Sequence, residues 1–496
     1  MGKHILAIDQ GTGGTKTVLF NAQGEVVGKA AVPLQSVYPQ VGFVEQDPLD
    51  LFENVLASLR QCVDAARQVD PQAPERIAAV GISNQRETFV LWDTAGNPIC
   101  NAVVWQCKRS VPICERLKGT RVEAEVRART GLIIDPYFSG AKLTWLMEND
   151  PSIRDGVKSG QVYFGTVDTW ILFKLTRGRS YCTDYTNASR TLLFNIHSLS
   201  WDDTLIEAFG AKGLLLPEVF PSAHVFGESD FEALFPKPIP IAGMIGDSHA
   251  AAFGQGCFTP GEAKATLGTG SSILCNIGSR PSPSTHGMVT TICWATQSRI
   301  DYALEGIIVT CGATVKWLRD QLGLMVKSAD TESMAMAVED NGGVYLIPAF
   351  SGMGAPHWKM DARAAIVGLT FGANKNHVAR AALESVAFQI KDVIEAMGQD
   401  SGTPLAELKV DGGMTGNRLL MQLVADLLEV RVVASGLEEV SALGAAYMAG
   451  LGIGAFDSLA DFAPPPGTRT FFDPSGTSDR LKEDYRVWGE MIAKHC

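Results

Sequence analysis

An ionised carboxylate is seldom buried without a partner or a task. Asp247 lies in MIGDSHAAAFGQG, residues 244–256, a stretch otherwise made mostly of small and apolar residues. An acid in such a strand-to-helix passage, if it faces a cleft, can orient a hydroxyl and take its proton. Asp9 is a second acid, at the end of an apolar strand in IDQGTGGTK, residues 8–16, which ends on Lys16. The small-residue turn between them exposes N–H groups to an anion. It is not a GxxxxGK[ST] loop, because it joins two strands, and a plain hairpin would also explain it. The theme returns in ATLGTGSS, residues 265–272, and in VDGGMTGN, residues 410–417. The last could set Gly413 and Asn417 against a nucleotide at a helix N-terminus. Each turn alone is common. Three of them, each closing a strand, point to ATP phosphates clamped between two lobes.

A second set of residues suits a hydroxyl-bearing ligand, which wants paired polar partners and an aromatic wall. NQRET (84–88) supplies Arg86 and Glu87, VVWQCKR (103–109) supplies Trp105, and DPYFSG (135–140) supplies Asp135 and Tyr137. Taken singly, these could be surface loops and a core tryptophan. Two functions are open at this point: a small-molecule kinase, or an ATPase that works on a protein partner, like actin or an Hsp70-type chaperone. The polyol-suited groups favour the first.

The elements that must carry these residues are legible in the patterning. KHILAIDQGTGGTKTVLFNAQGEVVGKAAVPL reads as three short strands, and residues 48–69 as an amphipathic helix. FVLWDTAGNPICNAVVW reads as a hairpin around AGNP. The second half opens the same way, with AKATLGTGSSILCNIG, and continues through DYALEGII, a helix at CGATVKWLRDQLGL and a long helix at HVARAALESVAFQIKDVIEAM. This suggests a duplicated α/β domain with a boundary near residue 250 and a tail from about residue 460.

The 496 residues are 46% hydrophobic and 19% charged, which is globular composition, with a net charge of −12. That charge disfavours nucleic acid and anionic membranes as partners. No run reaches the length of a membrane span, and the start, MGKHILAIDQ, lacks a signal-peptide pattern. The ten cysteines form no CxxC pair, which fits reduced thiols in a cytoplasm. Asn187-Ala-Ser189 matches a glycosylation pattern, but with no secretion signal it is expected to be structural. Asp168 and Asp184 are expected to cap and brace loops, and His249 to be a core histidine.

YFSGAKLTWLMEN (137–149) and AAIVGLTFGANKNHVARAALE (364–384) are long, specific patterns. With ISNQRET, VWQC, GTVDTW, TDYTNASRTLLFNI, PAFSGMGAP and VDGGMTGN they show that the sequence resembles the FGGY carbohydrate kinases, its glycerol-phosphorylating members most. The similarity runs from about residue 3 to about residue 455. It implies an α/β chain of two actin-like (RNase H-fold) lobes with a central cleft holding ATP and Mg²⁺. Residues 1–250 would form the N-terminal lobe, 251–460 the C-terminal lobe, and 461–496 a tail packed on the surface. Asp9 and Asp247 would face Mg²⁺. Thr12, Gly13, Gly14 and Lys16 would meet the phosphates, and Gly268, Thr269, Gly312, Lys316, Gly413 and Asn417 would line the nucleotide site. Arg86, Glu87, Tyr137, Asp247 and Ser248 would bind the substrate, with Trp105 as a wall and Asp247 as the base. A homodimer or homotetramer is also expected.

The sequence departs from that pattern in places. Ser248 and His249 stand where such kinases carry Gln-Gln, and Ser272 stands where they carry an aromatic. GTGGTK replaces GTTSSR, so Lys16 brings a point charge rather than an arginine fork. His357 replaces an aromatic and is expected to be structural, and the Gly-Gly-Thr-Arg effector loop is missing before IPIAG. The expected activity is ATP-dependent phosphorylation of a primary hydroxyl of a small polyol. Glycerol, giving glycerol 3-phosphate, comes first; erythritol, threitol, xylitol, xylulose or ribulose is the alternative.

Overall fold

Alternating strands and short glycine turns build two sheets of one design. The computed structural model describes residues 3–359, 361–456, 458–459, 462, 468–476 and 479–496. The first sheet has six strands, in the order Ala223–Ser229, Ile239–Gly246, Ile77–Asn84, His4–Gly11, Gly14–Phe20 and Val26–Pro33. The second has seven: Val289–Ala295, Ile300–Ile308, Ser271–Gly278, Glu262–Leu267, Glu407–Asp411, Val432–Ser435 and Arg469–Phe472. In the first sheet, His4–Gly11 pairs antiparallel with Gly14–Phe20 and parallel with Ile77–Asn84. In the second, Glu262–Leu267 pairs antiparallel with Ser271–Gly278 and parallel with Glu407–Asp411. A third parallel strand follows in each case. This is the repeated α/β topology of two actin-like lobes.

The helix Pro48–Val69 starts where the sequence says it should. Asp47 caps it, accepting from the N–H groups of Leu49 and Asp50, and Pro48 fills its first turn.

The structure departs from the linear domain division at the helix Val440–Gly452. That helix lies in the second half of the chain but packs on the first sheet. Its Ala442, Leu443 and Ala445 share a core with Ile5, Ala7, Ala79 and Ile245. The fit depends on missing side chains: a Cβ on Gly81 would lie 2.1 Å from the Ala445 carbonyl oxygen, and one on Gly444 1.9 Å from that of Ala250. The small residues after Asp247 thus serve a helix-to-helix contact.

The tail also differs from a simple surface wrap. Residues 460–461, 463–467 and 477–478 lie outside the described residues. Of the rest, Arg469–Phe472 extends the second sheet as an edge strand, and the helix Asp479–His495 buries Trp488, whose Nε1 donates to the Leu346 carbonyl at 3.0 Å. A tryptophan and two apolar neighbours at helical spacing, Leu481 and Ile492, give the tail a core face. Among the described residues no helix is long and apolar enough to cross a membrane.

Candidate active site

Asp247 is the first residue of the helix Asp247–Gly254, directly after the strand Ile239–Gly246. A strand end feeding a helix N-terminus puts its side chain at the sheet edge, where the two lobes face each other. A cavity of about 760 Å³ opens there, lined by Arg86, Glu87, Trp105, Tyr137, Asp247 and Ser248 among others. The substrate residues expected from sequence are therefore brought together.

Charge in this cleft is organised as a chain. Arg86 Nε lies 3.2 Å from Asp247 Oδ1, and Arg86 Nη1 lies 2.8 Å from Glu305 Oε1. Glu305 Oε2 lies 2.7 Å from Arg190 Nη2, and Arg190 Nε donates to Glu87 Oε1 at 2.6 Å. Burial alone would raise the Glu305 carboxyl, but Arg190 and Arg86 outweigh it and hold the group well below the usual carboxylate range. Burial raises the Glu87 carboxyl, partly offset by Arg190 and Arg86. Glu87 also has φ 61°, the left-handed region that an L residue adopts at a cost. Its ion pair and the Ser139 hydroxyl on its carbonyl at 2.8 Å keep it there.

The aromatic pair on the cavity wall is polar at one end. Trp105 and Tyr137 pack edge to face with centroids 5.3 Å apart. Trp105 Nε1 donates to Thr12 Oγ1 at 2.9 Å, and Thr12 donates to Gln85 Oε1 at 3.1 Å. The first glycine turn is thereby tied to the wall of the cavity. Behind it, buried Lys142 donates to the Tyr137 carbonyl at 2.6 Å, and burial pulls its ammonium down to about 7.

Asp9 lies on the first strand, opposite Lys16 and beside Ser83 in register. Ser83 Oγ donates to Asp9 Oδ1 at 3.0 Å. Burial first, and Asp247 second, push Asp9 up to about 7.

The glycine turns of the second lobe converge. Gly312 N–H donates to the Gly268 carbonyl at 2.9 Å, and Cys311 N–H to the Thr269 carbonyl at 2.9 Å. A Cβ on Gly312 would lie 2.6 Å from Gly268 O and 3.3 Å from Met414 Sδ. Three loops distant in sequence thus form one surface of small residues, and Thr269 reaches the cleft cavity. Gly413 lies in a short turn, Gly413–Gly416, and Lys316 is exposed one turn into the helix Gly312–Asp320.

Some expected site residues are otherwise engaged. Asn417 Oδ1 caps the helix Arg418–Leu428, accepting from Leu420 N–H at 2.9 Å. Lys16 Nζ pairs with Glu439 Oε2 at 3.0 Å. The lining of the cavity does not include Asp9, Gly13, Gly14, Lys16, Gly268, Gly312, Lys316, Gly413 or Asn417.

Among the structural expectations, Asp184 caps the helix Tyr185–Ala188, and Asp168 accepts from Thr166 and Thr183. Asn187 is buried against Asn84. His357 Nε2 lies 2.7 Å from Asp392 Oδ2. His249 is fully buried beside the charge chain, with Nε2 3.4 Å from Thr291 Oγ1. Sequence reading missed Glu305, Arg190 and Lys264. Their one signal was a lone charge in an otherwise apolar or neutral run: DYALEGII, TNASRTLLF and AKATLGTG.

The family models decide the class. The description "FGGY family of carbohydrate kinases, N-terminal domain" matches residues 4–254, and the C-terminal domain of the same family matches 263–453. The chain belongs to the FGGY family of carbohydrate kinases. As such a kinase it uses ATP to phosphorylate a small hydroxyl-bearing molecule. This FGGY kinase is 46% identical over 493 residues to a glycerol kinase of Desulfitobacterium hafniense, covering 99% of each chain. It is 47% identical to that of Halorhodospira halophila, covering 99% of this chain and 96% of the other. The crystal structure of Plasmodium falciparum glycerol kinase with ADP superimposes with a TM-score of 0.90 at 33% identity, over 100% of this FGGY kinase and 98% of that chain. A ligand-bound xylulose kinase from Lactobacillus acidophilus shares the fold, with a TM-score of 0.89 at 20% identity over 99% and 98% of the two chains.

Proposed function

We propose that this kinase transfers the γ-phosphoryl group of ATP to a primary hydroxyl of glycerol, giving glycerol 3-phosphate, with Asp247 as the base. The observation that carries the site assignment is Arg86 Nε at 3.2 Å from Asp247 Oδ1 in a cleft walled by Trp105 and Tyr137. Whole-length relatives named glycerol kinase support the substrate.

The chemistry asks little of the protein beyond position and charge. Phosphoryl transfer passes through a loose transition state, so an in-line hydroxyl and neutralised phosphates account for most of the rate. Arg86, fixed by two carboxylates, is a rigid donor for one substrate oxygen. Asp247 accepts from the reacting hydroxyl and takes its proton late. Trp105 and Tyr137 cover the carbon chain and exclude water, which would compete as the acceptor.

A carboxylate such as Asp9, whose proton affinity is raised by burial and by neighbouring Asp247, suits a hard divalent cation with oxygen ligands. Asp9 and Asp247 would hold Mg²⁺, which when bound neutralises charge on the phosphates. Among the described residues no cluster of three or more His, Cys, Asp or Glu side chains is placed to hold a metal. The ion is therefore proposed to arrive with the nucleotide. Thr12, Thr269, Gly312 and the turn at Gly413 are proposed to line the ATP side. The enzyme is proposed to act in the cytoplasm as a homo-oligomer.

The test is ADP release by the purified chain, with Mg²⁺ and ATP, as single polyols are added. Release that depends on glycerol supports the reading. ATP turnover indifferent to every polyol and sugar tried would overturn it.

A further inference from the structure

Two serines at the edge of the cleft have their protons committed. Lys264 Nζ donates to Ser248 Oγ at 3.1 Å, Ser248 Oγ donates to Ser272 Oγ at 3.1 Å, and Ser272 Oγ donates to Glu305 Oε1 at 2.9 Å. The direction is forced from both ends. An ammonium group only donates, and an ionised carboxylate only accepts. Ser272 must give its proton to Glu305, so Ser248 must give its own to Ser272. Each hydroxyl oxygen then keeps one free lone pair and no free hydrogen. Both serines line the cavity and are part-exposed to it, while Lys264 and Glu305 behind them are fully buried. Among the described residues Ser248 is the one hydrogen-bond acceptor of the Lys264 ammonium, so the chain ends on a charge held by this serine.

We infer that Ser248 and Ser272 form a second hydroxyl-recognising corner, which accepts a hydrogen bond from a substrate hydroxyl beyond those held by Arg86 and Asp247, so that four-carbon alditols are substrates. The inference rests on the polyol-kinase reading above and narrows it. Lone pairs without protons select an O–H donor. They give nothing to a methyl group and repel a carboxylate or phosphate. The corner is continuous with the main site, because Glu305 also holds Arg86, which holds Asp247. A ligand hydroxyl at the serines is thus sensed by the same buried charges that fix the reacting end.

The experiment compares kcat/KM on the full chain for glycerol, for the better of erythritol and threitol, and for the butane-1,2,3-triol of matching configuration. The last has the same carbon chain without the fourth hydroxyl. The wild type is expected to phosphorylate the tetritol and to prefer it to the triol by about tenfold, the value of one well-placed hydrogen bond. Ser248→Ala and Ser272→Ala, at different points of the chain, are each expected to bring that ratio within about threefold of one. Thermal unfolding of each variant shows whether it folds, and the wild-type ratio tests the proposal even where one does not. A wild type that phosphorylates glycerol but no tetritol overturns the inference and spares the proposed function. So does a tetritol-to-triol ratio near one, or a ratio retained in both serine variants. Failure on every polyol overturns both.

Discussion

Glu305 Oε2 lies 2.7 Å from Arg190 Nη2, and neither side chain has exposed area. The pair joins a strand of the second lobe to a loop of the first, and Glu305 also holds Arg86. Breaking a buried pair by removing one partner costs about 3–5 kcal/mol, because the other charge stays buried. Glu305→Gln is expected to lower the thermal midpoint by several degrees and to raise KM for the polyol more than KM for ATP. Calorimetry and steady-state kinetics check it; an unchanged midpoint and unchanged polyol KM would contradict it.

Asp247→Asn keeps the size of the side chain and removes its ability to take a proton. It is expected to reduce kcat at least about 10²-fold, within the range of general-base contributions, with little change in KM for ATP. A coupled ADP assay reads this. Turnover near the wild-type rate would remove Asp247 from the base role.

Asp9 sets a pH dependence whose sign follows from its environment. Its carboxyl rises from 3.8 to about 7, through burial first and Asp247 second. Between those values the folded chain keeps a proton that the unfolded chain has released. Stability therefore falls as pH rises through the window, and the penalty is complete above about 7. Asp9→Asn is expected to raise the thermal midpoint of the metal-free protein near about pH 8 and to leave it unchanged near about pH 4. Equal midpoints at the higher pH would show that neither burial nor Asp247 penalises the charged form of Asp9.

Lys16 and Glu439 form a partly exposed bridge between the strand Gly14–Phe20 and the residue that precedes the helix Val440–Gly452. Exposed pairs contribute about 0.2–1 kcal/mol, so Lys16 can exchange Glu439 for a phosphate at small cost. Glu439→Gln should lower KM for ATP by up to about fivefold, and Lys16→Met should raise it. Added salt should shrink the first effect. Opposite or absent shifts would separate Lys16 from the nucleotide.

Gly444 permits a contact that no other residue allows. A Cβ there would lie 1.9 Å from the Ala250 carbonyl oxygen, in the helix that begins with Asp247. Gly444→Ala is expected to destabilise the protein by about 1–3 kcal/mol, as overpacking does, and to lower kcat by displacing Asp247. Wild-type melting and turnover in this variant would mean that the helices part without moving the site.

The elements and the class of chemistry were legible in the chain because they rest on local rules. Apolar or alternating runs and glycine turns marked His4–Gly11, Gly14–Phe20, Glu262–Leu267 and Ser271–Gly278, and helical spacing with early acids and a late arginine marked the helix over residues 48–69. Asp247, Arg86, Glu87, Trp105 and Tyr137 stood out as polar or aromatic groups beside buried strands, and the structure brings them to one cavity. Only the tertiary structure seated the helix Val440–Gly452 on the first sheet and turned part of the tail into an edge strand and a core-facing helix. It alone made Asn417 a cap, paired Lys16 with Glu439, and linked Lys264, Ser248, Ser272 and Glu305 in one directed chain. Propensity and patterning act between near neighbours and are written in sequence order. Ion pairs and proton direction depend on which distant groups meet in a low-dielectric interior, and the folded chain decides that.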